Sequence, residues 1–234
     1  MSDHSCVAII PARGGSKRIP RKNIKSFLGQ PIISYSIQAA LQAGCFDEVM
    51  VSTDDAEIAG IAKNAGAQVP FIRSAPNADD HAMLADVIEE VLLEYQKQGK
   101  NFTYFCCILP TAPFVSAQRL KEGFAMLTES KVDSVVPVVR FSYPVQRAVR
   151  VDDDKLSMLW PENYNKRSQD LEPVYHDCGQ FYFMKSQSLL EQKQLFAKNT
   201  MAIKLSELEV QDIDSLEDWK IAELKYRVIN NLVG

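Results

Sequence analysis

The feature that most constrains this chain is an alternation of short apolar runs with helical periodicity through its first 140 residues. Val7-Ala8-Ile9-Ile10, Val49-Met50-Val51-Ser52, a weaker run at 69–72, and runs at 104–109 and 134–139 read as strands. Between the first two, Ile33, Ile37, Ala40 and Leu41 repeat at helical spacing, with Pro31 near the start and Gly44 past the end. A helix over 55–65 closes at Gly66; Leu84, Val87, Val91 and Tyr95 form one stripe; Ser116 can cap a helix running to about Ser130. Apolar strands alternating with helices imply a parallel sheet covered on both faces. Right-handed crossovers then place the loops after the first, fourth and fifth strands on one carboxyl edge, where such sheets bind ligands.

Near residue 140 the pattern changes. The stretch 140–178 holds Tyr143-Pro144, an acidic turn at Asp152-Asp153-Asp154 and Trp160-Pro161, without a clean helix. It predicts an extended β-rich arm inserted into one domain that spans 1–234. The arm carries Phe141, Tyr143, Val145, Val149, Leu156, Met158, Leu159 and Trp160, too much apolar surface to stand in water without something to pack on. The sheet is expected to resume at 180–184, and Trp219, Ala222, Tyr226 and Ile229 mark one face of a last helix.

Several function classes are excluded by composition. Five cysteines without CxxC pairing argue against a disulfide framework and a zinc cluster, and no two of the three histidines are spaced as a metal pair. The longest apolar runs fall far short of the ~20 residues that cross a bilayer. The start, MSDHSCVAII, lacks the features of a signal peptide, so the cytoplasm is the expected compartment and no membrane partner is expected. The net charge of −4 disfavours nucleic acid as a partner. That total hides a local contrast. Residues 13–25 hold six cations and no acid, whereas 207–218 hold six acids and no cation.

The basic stretch follows the first strand directly, as Pro11-Ala12-Arg13-Gly14-Gly15-Ser16-Lys17-Arg18-Ile19-Pro20-Arg21-Lys22-Asn23. Glycines let the backbone turn several N–H groups toward one point, and the cations balance charge there. The string matches neither GxGxxG nor GxxxxGK[ST], which disfavours a dinucleotide site and a Walker-type kinase. A polyphosphate site at a strand end outweighs a plain basic surface loop. In the acidic stretch, Asp212-Ile213-Asp214 alternates two carboxylates around an apolar residue, a donor set for magnesium when a phosphate completes the shell. Capping of the last helix by Asp214 explains the same residue equally well. Asp55 reads as a helix cap, Arg73 as a ligand contact or a surface residue, and a His176–Cys178 nucleophile is disfavoured because nothing near it predicts a thiolate.

Together IIPARGGSKRIPRKNIK, VSTDDAEIA, LPTAPF, RSQDLEPVYHDCGQFYF and DIDSLEDW resemble the cytidylyltransferases that activate nonulosonic acids, the nine-carbon keto-sugar acids. YHDCGQFYF is most similar to members acting on pseudaminic acid. The resemblance covers essentially the whole chain. It implies a Rossmann-like, three-layer α/β nucleotidyltransferase fold with a mostly parallel sheet, the 140–178 arm serving dimerisation. It implies CMP transfer from CTP to the sugar's anomeric hydroxyl with a Mg2+ cofactor. By position it assigns the nucleotide to Pro11, Ala12, Arg13, Gly14, Gly15, Ser16, Lys17, Lys22, Asn23 and Arg73, with Arg13 and Lys22 nearest the reacting phosphates. It assigns the metal to Asp212 and Asp214, and the sugar to Gln180 and Arg167, the latter acting on the partner's site in a homodimer with shared sites. Sialate-using members carry Gln before the PTxP turn; Leu109 stands here, which points away from N-acetylneuraminate. The rivals are a sialic or legionaminic acid synthetase and, from another class, a non-catalytic nucleotide-sugar binding protein.

Overall fold

Cys6–Pro11 (β1) is buried on both faces through its first five residues, as the continuous apolar run requires. The structure, a computed structural model, describes residues 4–79 and 81–232. After β1 the chain forms a small hairpin, Ser26–Phe27 (β2) with Gln30–Pro31 (β3), and then Ile32–Ala43 (α1), Glu48–Ser52 (β4) and Ala56–Asn64 (α2). A single turn at Ala75–Ala78 (α3) and the amphipathic Leu84–Lys97 (α4) lead to Tyr104–Ile108 (β5), Ala117–Glu129 (α5) and Ser134–Arg140 (β6). The excursion carries the hairpin Val149–Asp152 (β7) with Lys155–Met158 (β8). Tyr175–Asp177 (β9), Phe181–Lys185 (β10), Ser186–Gln192 (α6), Thr200–Leu205 (β11) and Leu216–Ile229 (α7) follow.

Among the described residues the central sheet has seven strands, in the order β11-β6-β10-β5-β1-β4, with β9 paired to the far end of β6. β1, β4, β5, β6 and β11 run in one direction; β10 and β9 are antiparallel to their neighbours. Alternate residues of β1 sort the core into two layers. Cys6, Ala8 and Ile10 pack with α1, α2 and α5 through Ile37, Ile58 and Leu120, while Val7 and Ile9 pack with α4 and α6 through Val91 and Leu189. The result is the expected three-layer α/β arrangement with a mostly parallel sheet.

Expected helix limits are met where the caps are strong. Gly44 ends α1 in the left-handed region, and Ser116 accepts from the Arg119 N–H to start α5. Three local expectations are corrected. No strand forms at 69–72: one bridge joins Met50 to Gln68, after which Pro70, lacking an N–H, cannot continue a ladder. Tyr175–Asp177, counted with the arm, re-joins the main sheet, so the outer excursion is 141–174, and its regular strand is confined to β7 and β8. Ile229 lies exposed at the end of α7, while Trp219 and Ala222 are buried.

A third, smaller core decides the site. Ile19 from the basic turn, Phe27 and Ile32 from the hairpin region, Ile213, and Trp219 and Ala222 from α7 are buried together. Phe27 meets the edges of Tyr35, Trp219 and Tyr226 at 5.3, 5.7 and 5.6 Å between ring centroids. Each such side chain contributes about 1.5–3 kcal/mol on burial. The cluster therefore clamps the basic turn to the acidic segment, although they are far apart in sequence.

Candidate active site

The turn after β1 is braced from the neighbouring strand end. Gly14 N–H donates to Asp54 Oδ1 at 2.9 Å. A Cβ on Gly14 would stand 2.8 Å from Asp55 Oδ2, so any side chain there would push that carboxylate away. Asp55 has no room to give. It caps α2 by accepting from the Glu57 and Ile58 N–H groups, and it takes Arg21 at 2.6 and 3.0 Å. Arg21 also pairs with Glu57 and lies in the left-handed region at φ 55. Its guanidinium first, and the cap bonds after it, hold the Asp55 carboxyl down at about 2. Lys25 rests over the Trp219 ring at 5.6 Å. Two of the six basic residues are thus turned away from the ligand edge to hold the loop in shape.

The other four, Arg13, Lys17, Arg18 and Lys22, line one side of a cavity of about 570 Å³, within the usual range of ligand pockets. Pro11, Ser16 and Leu109 also border it, together with Asn23 and Arg73. Asn23 is buried and its Nδ2 donates to the Arg13 carbonyl at 3.0 Å. Arg13 itself donates to the Asp79 carbonyl at 3.2 Å. Arg73 is no surface residue. It is buried, its backbone N–H donates to the Thr53 carbonyl at 2.9 Å, and its Nε donates to Ser52 Oγ at 3.0 Å, with a further bond to the Ser52 carbonyl. Burial pulls its pKa down, against the opposing pull of Asp54 and Glu90.

The acidic segment contacts cations of this cavity and lines a second one. Ile213 is 1% exposed, and its carbonyl accepts from Lys22 Nζ at 2.7 Å. Asp214 pairs with Arg18 at 2.8 Å and lies 3.7 Å from Lys22 Nζ, two of the cations that line the first cavity. Capping of α7 falls to Ser215 with Asp218 in a reciprocal capping box, which leaves the Asp214 carboxylate out of that role. Asp212 lines the second cavity, about 380 Å³, with Arg140, His176, Cys178, Glu207 and Lys225 on its other walls. The two carboxylates therefore straddle a seam between a cationic pocket and an open neighbour. The donor chemistry fits magnesium, a hard cation that takes one or two carboxylates and fills the rest of its shell with phosphate and water. Among the described residues no three acidic, histidine or cysteine side chains form a metal cage of their own.

Ala12 is buried under the turn, its N–H bonded to the Ser52 carbonyl at 2.9 Å, and nothing lies within 4 Å of a Cβ on Gly15. Gln180 is buried and donates to the Glu209 carbonyl at 2.5 Å, outside the lining of the second cavity. Arg167 stands on the arm, its side chain 74% exposed, paired with Asp170 at 2.9 Å and outside both linings. Cys178 is inert: its thiol donates to the Pro137 carbonyl at 3.2 Å, and burial pushes its pKa up to about 12. Sequence reasoning missed Asp54 and Arg21 as braces and Lys225 as a wall of the second cavity. Their partners lie 34 or more residues away, beyond the reach of any local pattern, except for Lys225, whose contacts are to backbone carbonyls.

A glycine-bearing, cation-rich turn at the carboxyl end of β1 in a three-layer α/β sheet defines the class of polyphosphate-nucleotide-binding proteins. More narrowly, the chain belongs to the cytidylyltransferase family, whose sequence model matches residues 7–231. It is 40% identical over 223 residues to the pseudaminic acid cytidylyltransferase of Campylobacter jejuni, covering 95% of this chain and 96% of that one. It is 32% identical over 227 residues to the CMP-N,N'-diacetyllegionaminic acid synthase of Legionella pneumophila, covering 93% and 94% of the two chains. Among solved structures, a CMP:2-keto-3-deoxy-manno-octonic acid synthetase complexed with CTP matches with a TM-score of 0.70 at 16% identity, over 97% of this chain and 99% of that one. That match establishes the fold. Among the described residues no helix is long and apolar enough to cross a membrane.

Proposed function

We propose that this chain transfers CMP from CTP to the anomeric hydroxyl of a nonulosonic acid, releasing pyrophosphate, and that the sugar is pseudaminic acid. The observation that carries the reading is the seam: Lys22 reaches the Ile213 carbonyl and Asp214 from the cationic cavity, while Asp212 borders the open one. The near full-length likeness to pseudaminic acid cytidylyltransferases supports the choice of sugar.

In this reading Arg13, Lys17, Arg18 and Lys22 hold the triphosphate, with Pro11, Ala12, Gly14, Gly15 and Ser16 shaping the turn around it. Arg13 and Lys22 stand nearest the reacting phosphates. Asn23 and Arg73 set the cytidine side, with Arg73 fixed by Ser52. As pyrophosphate leaves it gains negative charge, and cations already in position stabilise that charge without reorganising. Asp212 and Asp214 would hold magnesium; Arg18 is exposed enough to release Asp214 for it. Magnesium held at that seam would neutralise charge on phosphate oxygens. The second cavity takes the sugar, with Gln180 supporting its floor. The exposed apolar arm covers a second copy, and Arg167 completes the partner's sugar site in a two-fold dimer with shared sites.

The test is pyrophosphate release from CTP across a panel of nonulosonic acids at several magnesium concentrations. Pseudaminic acid is expected to give the highest kcat/KM. Preference for a sialic or legionaminic acid would overturn the choice of sugar. No release with any sugar at any magnesium concentration would favour a non-catalytic nucleotide-sugar binding protein.

A further inference from the structure

One side chain of the second cavity has no part in the reaction derived above. His176 sits on β9 opposite Val139 of β6 and is exposed at the cavity rim, its ring 4.6 Å from that of Phe141. Its Nδ1 lies 2.8 Å from the Asp177 carbonyl oxygen. A carbonyl only accepts, so Nδ1 carries the hydrogen, and the neutral ring presents its lone pair on Nε2. The backbone thus fixes the tautomer that can accept a proton from a ligand.

The other polar groups around the cavity are committed differently. From β9, the Asp177 carboxylate accepts from Tyr182 Oη at 2.6 Å and from the Gly179 N–H at 2.9 Å. Cys178 holds its proton, and Lys225 of α7 donates to the Glu207 and Val210 carbonyls at 3.3 and 3.0 Å. Arg140 of β6 is a permanent cation that cannot take a proton. Glu207 and Asp212 supply carboxylates from the segment before α7. Imidazole is the side chain whose charge change ordinarily falls between pH 5 and 8, where a general base is most effective.

We propose that His176 is the proton acceptor for the sugar's anomeric hydroxyl. The proposal rests on the CMP-transfer reading above. As the hydroxyl oxygen bonds to the α-phosphorus, its proton passes to His176 Nε2. The bond from that phosphorus to the bridging oxygen breaks, and its electron pair leaves with pyrophosphate. The ring then returns its proton to water, which reaches it because the residue is exposed.

The experiment measures pyrophosphate release from CTP and pseudaminic acid at saturating magnesium, from pH 5 to 9, for the wild type, His176→Ala and His176→Gln. Both variants are expected to lose ~10²-fold in kcat and to lose the acidic limb of the wild-type kcat profile, with KM for both substrates nearly unchanged. Added imidazole should restore part of the kcat of His176→Ala, which also shows that the variant is folded. Glutamine keeps a hydrogen-bonding group without a basic nitrogen, so a His176→Gln variant that keeps its kcat overturns the proposal. Effects confined to KM overturn it too. A wild type that releases no pyrophosphate overturns the reaction itself, and this proposal with it.

Discussion

The two cavities on the carboxyl edge are built in different ways. The cationic one takes four of its cations from thirteen consecutive residues and is braced from the end of β4: Asp54 holds Gly14, Asp55 and Glu57 hold Arg21, and Ser52 holds Arg73. The open one is assembled from β6, β9, the segment before α7 and Lys225, and beside it stands an arm with Tyr143 85% and Leu156 67% exposed. One half of the site is finished within the chain; the other leaves apolar surface unpacked. A triphosphate is the same in every reaction of this type and rewards a preformed cradle. A sugar varies in substituents and stereochemistry, and a wall supplied by loops can vary with it.

The largest expected effects fall on the seam. Asp212→Asn or Asp214→Asn should cost ~10²-fold or more in kcat, because each removes one of the two carboxylates proposed to hold magnesium. Lys22→Ala should cost about as much, with the fold intact by circular dichroism, since Lys22 donates to the Ile213 carbonyl and is proposed to hold the phosphates. Magnesium titrations separate the roles. If either aspartate variant kept near-normal turnover at limiting magnesium, its role as a metal ligand would be abandoned, and the two cavities would be energetically separate.

A smaller effect tests whether the open half is completed by a second copy. Lys22→Ala and Arg167→Ala subunits, each nearly inactive alone, are mixed under conditions that allow exchange. If Arg167 acts on the partner's site, random pairing restores about a quarter of wild-type sites, because half the dimers are mixed and each has one intact site. Absence of recovery despite demonstrated heterodimers would sink the role in trans. A monomer at micromolar concentration would sink the dimer.

The same division governs what the sequence makes legible. The cationic turn is readable because its residues are contiguous and follow an unmistakable strand; the sheet is readable because parallel strands are apolar throughout. The pairing of Arg21 with Asp55 is not, since 34 residues separate them and Arg21 looks like one more phosphate ligand. β11 gives only a short signal: Ala202 and Lys204 face water while Ile203 and Leu205 are buried, a period-two alternation of four residues on an edge strand. At 69–72 the apolar residues suggest a strand that Pro70 forbids. His176 shows only a neighbouring cysteine in sequence; its cavity-mate Asp212 comes from another part of the fold.

The smallest effect concerns the brace itself. Asp55 is held at about 2 in the folded protein against an ordinary value of 3.8, so it favours folding wherever the carboxylate is charged. Because the folded value is the lower one, that contribution is complete above about pH 4 and is lost as the pH falls toward 2. Glu209, held at about 2 by Arg119, loses its contribution over a similar window, so the wild type as a whole should weaken there. Asp55→Asn keeps an acceptor for the Glu57 and Ile58 N–H groups but removes the charge that pairs with Arg21. Since the Arg21 side chain is 39% exposed, solvent screens the pair, and the loss at neutral pH should be only about 1 kcal/mol or less. Thermal unfolding measured from pH 7 to 2.5 should show wild type and variant converging below about pH 3. Parallel curves would mean that Arg21 does not hold Asp55 and that the cationic turn keeps its shape without this brace. A KM for CTP that rises in the variant while sugar KM stays fixed would confine the brace to the half proposed to hold the nucleotide, beside Gly14.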